Sequence, residues 1–124
     1  MTYLGIDYGS KRIGLARGDD ETRVATPIKT VANNKDVYTE ICNLIYTSEI
    51  DGIVVGLPVS FDGKEHAQAA EVRAFGAELQ KGATVPMYFQ NEMLTSVQAE
   101  RGGARDVDAS AAALMLQSFL DSLK

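Results

Sequence analysis

Three acidic residues stand where the sequence could bring carboxylates together around a divalent metal ion. Asp7 ends an apolar run that opens the chain, Glu92 follows a later apolar run, and Asp108 begins the last amphipathic stretch. Hard cations such as Mg²⁺ and Mn²⁺ prefer carboxylate and phosphate oxygens. Two such ions held about 4 Å apart can activate a water molecule and stabilise the leaving oxygen in phosphodiester cleavage. The acids therefore predict a two-ion site that forms with substrate, in which Asp7 bridges the ions and Glu92 and Asp108 each complete one.

The acids also have structural interpretations that involve no metal, and Glu92 and Asp108 are weaker metal candidates than Asp7 when each is taken alone. Asp7 lies in the segment Gly5–Gly9, where an aspartate can brace a turn through its own backbone, and taken alone the two interpretations are equally supported. Asp108 taken alone is more typical of a helix cap or of a first-turn acid that complements the helix dipole. The metal prediction therefore depends on the three acids together, because the carboxyl ends of strands meet at one edge of a crossover sheet.

Basic side chains near these acids could contact the phosphates of a nucleic acid. The candidates are Lys11, Arg12, Lys64, Arg73 and Arg101. For any one of them a solvated surface charge is the default interpretation. Lys11 and Arg12 are favoured because they leave the same turn as Asp7.

The elements that must position these residues follow from the hydrophobic pattern. Strands are predicted at Thr2–Asp7, Ile13–Arg17, Val24–Val31, Ile53–Val55 and Val85–Phe89, and helices at Val37–Ile45, Ala67–Lys81, Leu94–Arg101 and Val107–Leu123. Pro27 predicts an edge position for the third strand, and Leu57–Pro58 predicts the end of the fourth. This order indicates an α/β fold with a mixed sheet of about five strands, in which the first three are antiparallel, parallel crossovers follow, and helices cover both faces.

Composition limits the class of protein. The chain has 124 residues and 45% hydrophobic content, which predicts a single domain spanning 1–124. Its only cysteine, Cys42, cannot form an intrachain disulfide or a thiolate zinc site. A net charge of −5 argues against a broadly basic surface for nucleic acid, so any such contact must be local or assisted by metal. Without an apolar run of membrane-spanning length or an export signal, a cytoplasmic location with no membrane partner is expected.

Several motifs in the same order resemble one bacterial family. Residues 5–16 (GIDYGSKRIGLA), residues 51–58 (DGIVVGLP) followed by Asp62–Gly63, and residues 107–117 (VDASAAALMLQ) are similar to the signatures of the YqgF (RuvX) proteins. Several motifs in the right order are far more specific than any one of them. The resemblance implies a ribonuclease-H-like fold in a single nuclease domain. It also implies catalytic acids at Asp7, at Glu92 in the position of an Asp-Glu-Arg-Leu-Thr motif, and at Asp108.

The family resemblance carries two functional expectations. The first is metal-dependent cleavage of structured nucleic acid in the 5′-end maturation of pre-16S rRNA, with ribosomal assembly intermediates as further partners. The alternative is resolution of Holliday junctions in branched DNA. Symmetric cleavage of a four-way junction needs two sites related by a two-fold axis and hence a homodimer, whereas a monomer suffices to trim an RNA end.

Two departures from the family pattern leave a further class open. The family's Asp-Glu-Arg reads Asn91-Glu92-Met93 here, so that Asn91 offers an uncharged oxygen to a metal and Met93 cannot grip a phosphate. The segment between Arg101 and Asp108 is also shorter than in the family. Reduced or altered activity is therefore predicted. A catalytically weakened binding protein for nucleic acid or ribosome assembly is the alternative from another class. A phosphate loop of the sugar-kinase and actin type is disfavoured, because those proteins close two domains around the nucleotide.

Overall fold

The computed structural model describes residues 1–59, 67–93 and 107–123. Its elements in chain order are β1 Thr2–Asp7, β2 Arg12–Asp19, β3 Ala25–Ala32, α1 Val37–Thr47, β4 Gly52–Val59, α2 Ala67–Gly82, β5 Met87–Met93 and α3 Val107–Ser122. The helix predicted at Leu94–Arg101 lies outside the described residues, as do Lys64 and Arg101. No helix among the described residues is long and apolar enough to cross a membrane.

The strands form one mixed sheet in the order β3-β2-β1-β4-β5. The first three strands pair antiparallel, while β4 runs parallel to β1 and β5 runs parallel to β4. Hairpins suffice to join antiparallel neighbours, whereas each parallel pair needs a crossover, which α1 and α2 provide. The predicted mixed sheet with an antiparallel start is confirmed.

Helices cover the two faces of the sheet separately. Because side chains alternate along a strand, neighbouring residues belong to different faces. On one face, here the α1/α2 face, Ile6, Leu15 and Val55 pack with the apolar sides of α1 and α2. On the other, here the α3 face, Tyr3 and Val54 pack with α3. Helices on both faces were predicted from the element order, and this is confirmed.

Glycines on the α3 face let α3 lie close to the sheet. A Cβ atom added at Gly5 would lie 2.9 Å from the Cβ of Leu116. A Cβ atom added at Gly14 would overlap the carbonyl group of Asp108 and lie 2.8 Å from the backbone nitrogen of Ala109. The first turn of α3 therefore occupies the space that a side chain on β2 would otherwise fill.

Several strand bounds differ from the prediction. β2 runs over Arg12–Asp19 instead of Ile13–Arg17, and β3 over Ala25–Ala32 instead of Val24–Val31. β4 continues through Pro58 to Val59, and β5 runs from Met87 to Met93, so the predicted end at Leu57–Pro58 and the predicted bounds Val85–Phe89 are wrong. The parallel pairing of β4 with β5 extends these two strands at their C-terminal ends. Pro58 is tolerated because the pairing of β4 with β1 ends at Val55, so its missing N–H costs no bond to β1.

The edge position predicted for β3 from Pro27 is confirmed. Among the strands of residues 1–59, 67–93 and 107–123, β3 is the outermost and pairs only with β2. Ala16 pairs with Pro27 and Leu15 with Lys29, which leaves Ile28 as an extra residue in a bulge. The proline thus lies beside an irregularity, where a missing ladder donor is tolerated.

Candidate metal and nucleic-acid site

Asp7 and Asp108 are brought together by Gly14. Asp7 is the last residue of β1 and lies directly opposite Gly14 of β2. It is two residues from Gly5, which contacts α3, so its side chain belongs to the α3 face. The backbone of Asp108 rests on Gly14 from above. The end of β1 and the start of α3 therefore meet over one residue that lacks a side chain.

Glu92 reaches the same face from β5. It pairs with Pro58 of β4, and its Cγ lies 3.8 Å from the Cβ position of Gly56, which also faces Met115 of α3. Glu92 therefore lies within β5, and the expectation that it follows the last strand is wrong. The physical reason is again the parallel pairing with β4, which extends β5 beyond its apolar residues.

The burial of the Glu92 carboxyl group is poorly compensated by hydrogen bonds. Its Oε1 is buried and has no hydrogen-bond partner within the part of the chain that the structure describes. Burial raises the pKa of Glu92 above its usual range, and the negative charge of Asp7 raises it further. A carboxylate that loses water without gaining a donor costs free energy, which a proton or a cation can recover. Asp7 and Glu92 thus form a coupled acidic pair.

Asp108 is compensated within the protein. Nε of Arg12 donates to Oδ2 of Asp108 over 2.9 Å, which forms an ion pair. The Asp108 side chain is 11% exposed and that of Arg12 is 44% exposed. Arg12 is two residues from Gly14 along β2, so both residues face α3. The third acid is thereby held by a guanidinium group.

The oxygen atoms of the three acids are of the type that a hard cation prefers. The donor set consists of carboxylate oxygens, and one of them, Oε1 of Glu92, is buried and has no hydrogen-bond partner among the described residues. Within residues 1–59, 67–93 and 107–123, however, no three acidic, histidine or cysteine side chains converge closely enough to hold a metal ion together. The pair Asp7 and Glu92 and the ion-paired Asp108 therefore stand as two adjacent parts of one candidate site.

Of the predicted basic residues, Arg12 is the one that the described structure brings into contact with an acid of the site. Lys11 is exposed in the turn between β1 and β2. Arg73 lies on α2, with its guanidinium carbon 5.2 Å from the ring centroid of Phe89. Phe89 alternates with the α3-face residues of β5 and pairs with Val55 of the α1/α2 core. Arg73 therefore lies on the opposite face from the acids, and its contact with nucleic acid stays a prediction.

Asn91 does not join Glu92. It pairs with Leu57, which is buried in the α1/α2 core, and it precedes Glu92 by one residue. Strand alternation therefore directs the exposed Asn91 side chain to the α1/α2 face. The expectation that its amide oxygen is offered to a metal beside Glu92 is wrong, and the physical reason is that Glu92 lies in a strand instead of a loop.

A residue that the sequence did not single out, Asn33, fixes the turn that carries Lys11 and Arg12. Its side-chain nitrogen donates to the carbonyl oxygen of Gly9 over 2.8 Å, and its backbone nitrogen donates to the carbonyl oxygen of Lys11 over 2.9 Å. A Cβ atom at Gly9 would overlap the carbonyl oxygen of Arg12, so the glycine permits this tight turn. The only signal in the sequence is that an amide residue directly follows β3.

Comparison with known proteins places the chain in a family. The family model described as "RuvX: Holliday junction resolvase" matches residues 1–122. The chain belongs to this family. A relative from Rickettsia africae, named "Putative pre-16S rRNA nuclease", is 34% identical over 133 residues, covering 98% of this chain and 86% of the relative. A relative of the same name from Anaeromyxobacter sp. is 39% identical over 134 residues, covering 98% of this chain and 97% of the relative.

Solved structures share the fold of this RuvX-family chain. The Thermus thermophilus RuvC structure in complex with a Holliday junction substrate matches with a TM-score of 0.59 at 17% identity, covering 97% of this chain and 94% of RuvC. The fowlpox virus Holliday junction resolvase matches with a TM-score of 0.61 at 12% identity, covering 99% and 100%. At these identities the likeness concerns the fold alone.

The comparisons confirm the predicted family and the predicted ribonuclease-H-like fold. They also make this chain a member of a family of nucleases and resolvases, for which nucleic acid is the substrate class. Membership of such a family suggests dependence on a divalent metal ion.

Proposed function

We propose that this chain hydrolyses phosphodiester bonds in structured nucleic acid, with Asp7, Glu92 and Asp108 as its catalytic and metal-binding acids and Mg²⁺ or Mn²⁺ as its cofactor. The observation that carries the proposal is the buried Oε1 of Glu92, which lacks a hydrogen-bond partner within the described residues, beside the charge of Asp7. A partly buried acidic pair is costly to the free protein, and a cation offsets that cost while it attracts phosphate.

The chain's own residues would divide the chemistry as follows. Bound Mg²⁺ or Mn²⁺ would supply Lewis-acid polarisation of the phosphate and neutralise its charge. Asp7 and Glu92 hold buried oxygens toward the site, and Asp108 supplies a third carboxylate from the start of α3. Lys11 and Arg12 would bind backbone phosphates of the substrate from the adjacent turn. In the reaction water adds to phosphorus and the bond to one ester oxygen breaks.

Structured RNA is the proposed substrate, and maturation of the 5′ end of pre-16S rRNA is the proposed reaction. The names of the relatives support this choice. The family description and the two fold neighbours favour the second candidate, a four-way DNA junction. We further propose that the chain acts as a single domain in the cytoplasm, as a monomer on RNA or as a homodimer on a junction.

A cleavage assay tests the function. Wild type, Asp7→Asn and Asp36→Asn are compared on a pre-16S rRNA fragment and on a four-way junction, with Mg²⁺ or Mn²⁺. Asp36 is a matched control because it is an exposed acid at the N-terminus of α1 whose side chain makes no cap hydrogen bond. Wild type and Asp36→Asn are expected to cleave the RNA, and Asp7→Asn is expected to lose cleavage. Equal cleavage by Asp7→Asn would overturn the active-site assignment.

The assay also separates the alternatives. Preferential cleavage of the junction, together with a dimer in light scattering, would establish the resolvase alternative. If neither substrate is cleaved and Mn²⁺ does not shift the melting temperature, the catalytically weakened binding protein is the better description.

A further inference from the structure

The ion pair between Arg12 and Asp108 joins two residues of the proposed site. Oδ2 of Asp108 accepts from Nε of Arg12 over 2.9 Å, and the two residues are separated by 96 positions in the sequence. Asp108 is nearly buried by the contact of α3 with Gly14, whereas Arg12 remains 44% exposed. Solvent and substrate can therefore reach the arginine more easily than the acid that it holds.

A guanidinium group and a metal cation compete for one carboxylate. Both are positive, so a metal ion placed at Asp108 while Arg12 stays in place would meet repulsion at close range. The described residues contain no three-acid cluster that could hold a metal in this arrangement. Displacement of Arg12 would remove this competing positive charge from Oδ2 of Asp108.

A nucleic acid offers Arg12 another partner. The planar guanidinium group binds carboxylate and phosphate with similar geometry, so a phosphate can replace a carboxylate as its partner. The backbone of the turn beside Arg12 is fixed through Asn33 and Gly9, so exchange requires movement of the side chain alone.

We propose that Arg12 is a positioning residue that couples substrate binding to metal binding: it holds Asp108 in the free protein, and when a substrate phosphate takes its guanidinium group, Asp108 is released to complete the metal site. The inference rests on the proposed function and deepens it by assigning regulation to the same site. Coupling between two ligands is reciprocal, so substrate strengthens metal binding and metal strengthens substrate binding by the same factor.

Mn²⁺ titrations by calorimetry test the coupling on the full chain. The titrations are made without nucleic acid and with a saturating RNA hairpin that gel electrophoresis shows to be intact at the end of each titration. For wild type, the hairpin is expected to tighten Mn²⁺ binding about tenfold, within the usual range of coupling between sites. Arg12→Gln is expected to bind Mn²⁺ more tightly than wild type without the hairpin, and the hairpin is expected to tighten its Mn²⁺ binding less than it does in wild type.

Matched variants exclude trivial explanations. Arg17→Gln removes the same charge from an exposed residue of β2 on the other face and is expected to behave as wild type. The double variant Arg12→Gln and Asp108→Asn should lose the gain, because the gain acts through Asp108. Arg12→Lys keeps the charge and should keep metal binding weak without RNA. A variant that has merely lost stability would not bind a metal more tightly.

The outcomes are distinguishable from failure of the proposed function. If Asp7→Asn binds Mn²⁺ as wild type does, the proposed metal site is wrong. If Asp7→Asn abolishes binding but Arg12→Gln binds no more tightly than wild type, only the coupling is overturned. An equal gain in Arg17→Gln would also overturn it, since net charge alone would then explain the effect.

Discussion

Replacement of Gly14 by alanine is expected to damage the site more than the fold. Gly14 lies between Asp7 on β1 and the first turn of α3. An added methyl group would stand 2.8 Å from the backbone nitrogen of Ala109 and would overlap the carbonyl group of Asp108. The neighbours are backbone atoms, so rotation of a side chain cannot relieve the overlap.

The size of the effect follows from these distances. Ordinary contact with a Cβ atom begins at 3.4 Å, so the nitrogen of Ala109 must withdraw by at least 0.6 Å (3.4 − 2.8), and the Asp108 peptide further. The 2.9 Å bond from Arg12 would be stretched to the limit of hydrogen bonding. Overpacking of this kind costs about 1–3 kcal/mol of unfolding free energy. A displacement of about 1 Å at a catalytic group costs about 100-fold in rate.

Single-turnover cleavage of RNA and urea unfolding measure the two effects separately. Gly5→Ala is the matched control, because its methyl group would lie 2.9 Å from the Cβ of Leu116, two turns further along α3. Gly5→Ala should lose stability but retain most of its rate, whereas Gly14→Ala should lose both. Wild-type rate and stability in Gly14→Ala would refute the reasoning, as would an equal loss of rate in Gly5→Ala.

Two further predictions concern Glu92 and Asn33. The pKa of Glu92 is raised in the folded protein, so just above pH 4.5 the folded protein binds more protons than the unfolded chain. The stability that comes from protonated Glu92 is therefore lost as pH rises through the folded pKa. In metal-free buffer Glu92→Gln should therefore be more stable than wild type at pH 7 and equal to it near pH 4 in urea unfolding; lower stability at pH 7 would contradict this. Asn33→Ala should lose about 1 kcal/mol by the same measurement and bind an RNA hairpin less tightly in fluorescence anisotropy, because its bond to Gly9 fixes the turn. Asn43→Ala, on the exposed side of α1, is the control, and unchanged stability of Asn33→Ala would refute this role.

The hydrophobic pattern predicted a strand correctly where neighbouring residues in the sequence determine its end or its position. β1 has the predicted bounds Thr2–Asp7, because a continuous apolar run meets a turn that contains Gly9. The edge position of β3 followed from Pro27, whose missing N–H excludes a central position. The predicted bounds of β5 ended too early. Its polar residues Gln90–Glu92 belong to the strand because they pair with β4, and the local sequence pattern does not indicate this pairing.

The same distinction applies to the site. The positions of Asp7 at the end of a strand and of Asp108 at the start of a helix were predictable from local periodicity, and the structure confirms them. The partner of Asp108 was not predictable, because it depends on how closely α3 docks on Gly14. Sequence reasoning assigned Arg12 to phosphate alone, since nothing in a one-dimensional pattern indicates a contact across 96 residues.

The charges of the whole chain give the ion pair of Arg12 and Asp108 a second consequence. With a net charge of −5 and acids gathered at one edge of the sheet, the free protein repels a polyanion unless cations intervene. Arg12 neutralises Asp108 without metal, while the negative charge of Asp7 still acts on Glu92. In the substrate complex, after the exchange, the guanidinium of Arg12 would lie beside phosphate, and the divalent ion beside the acids. Bound metal would therefore reduce the repulsion that opposes nucleic acid, and bound nucleic acid would reduce the repulsion that opposes metal.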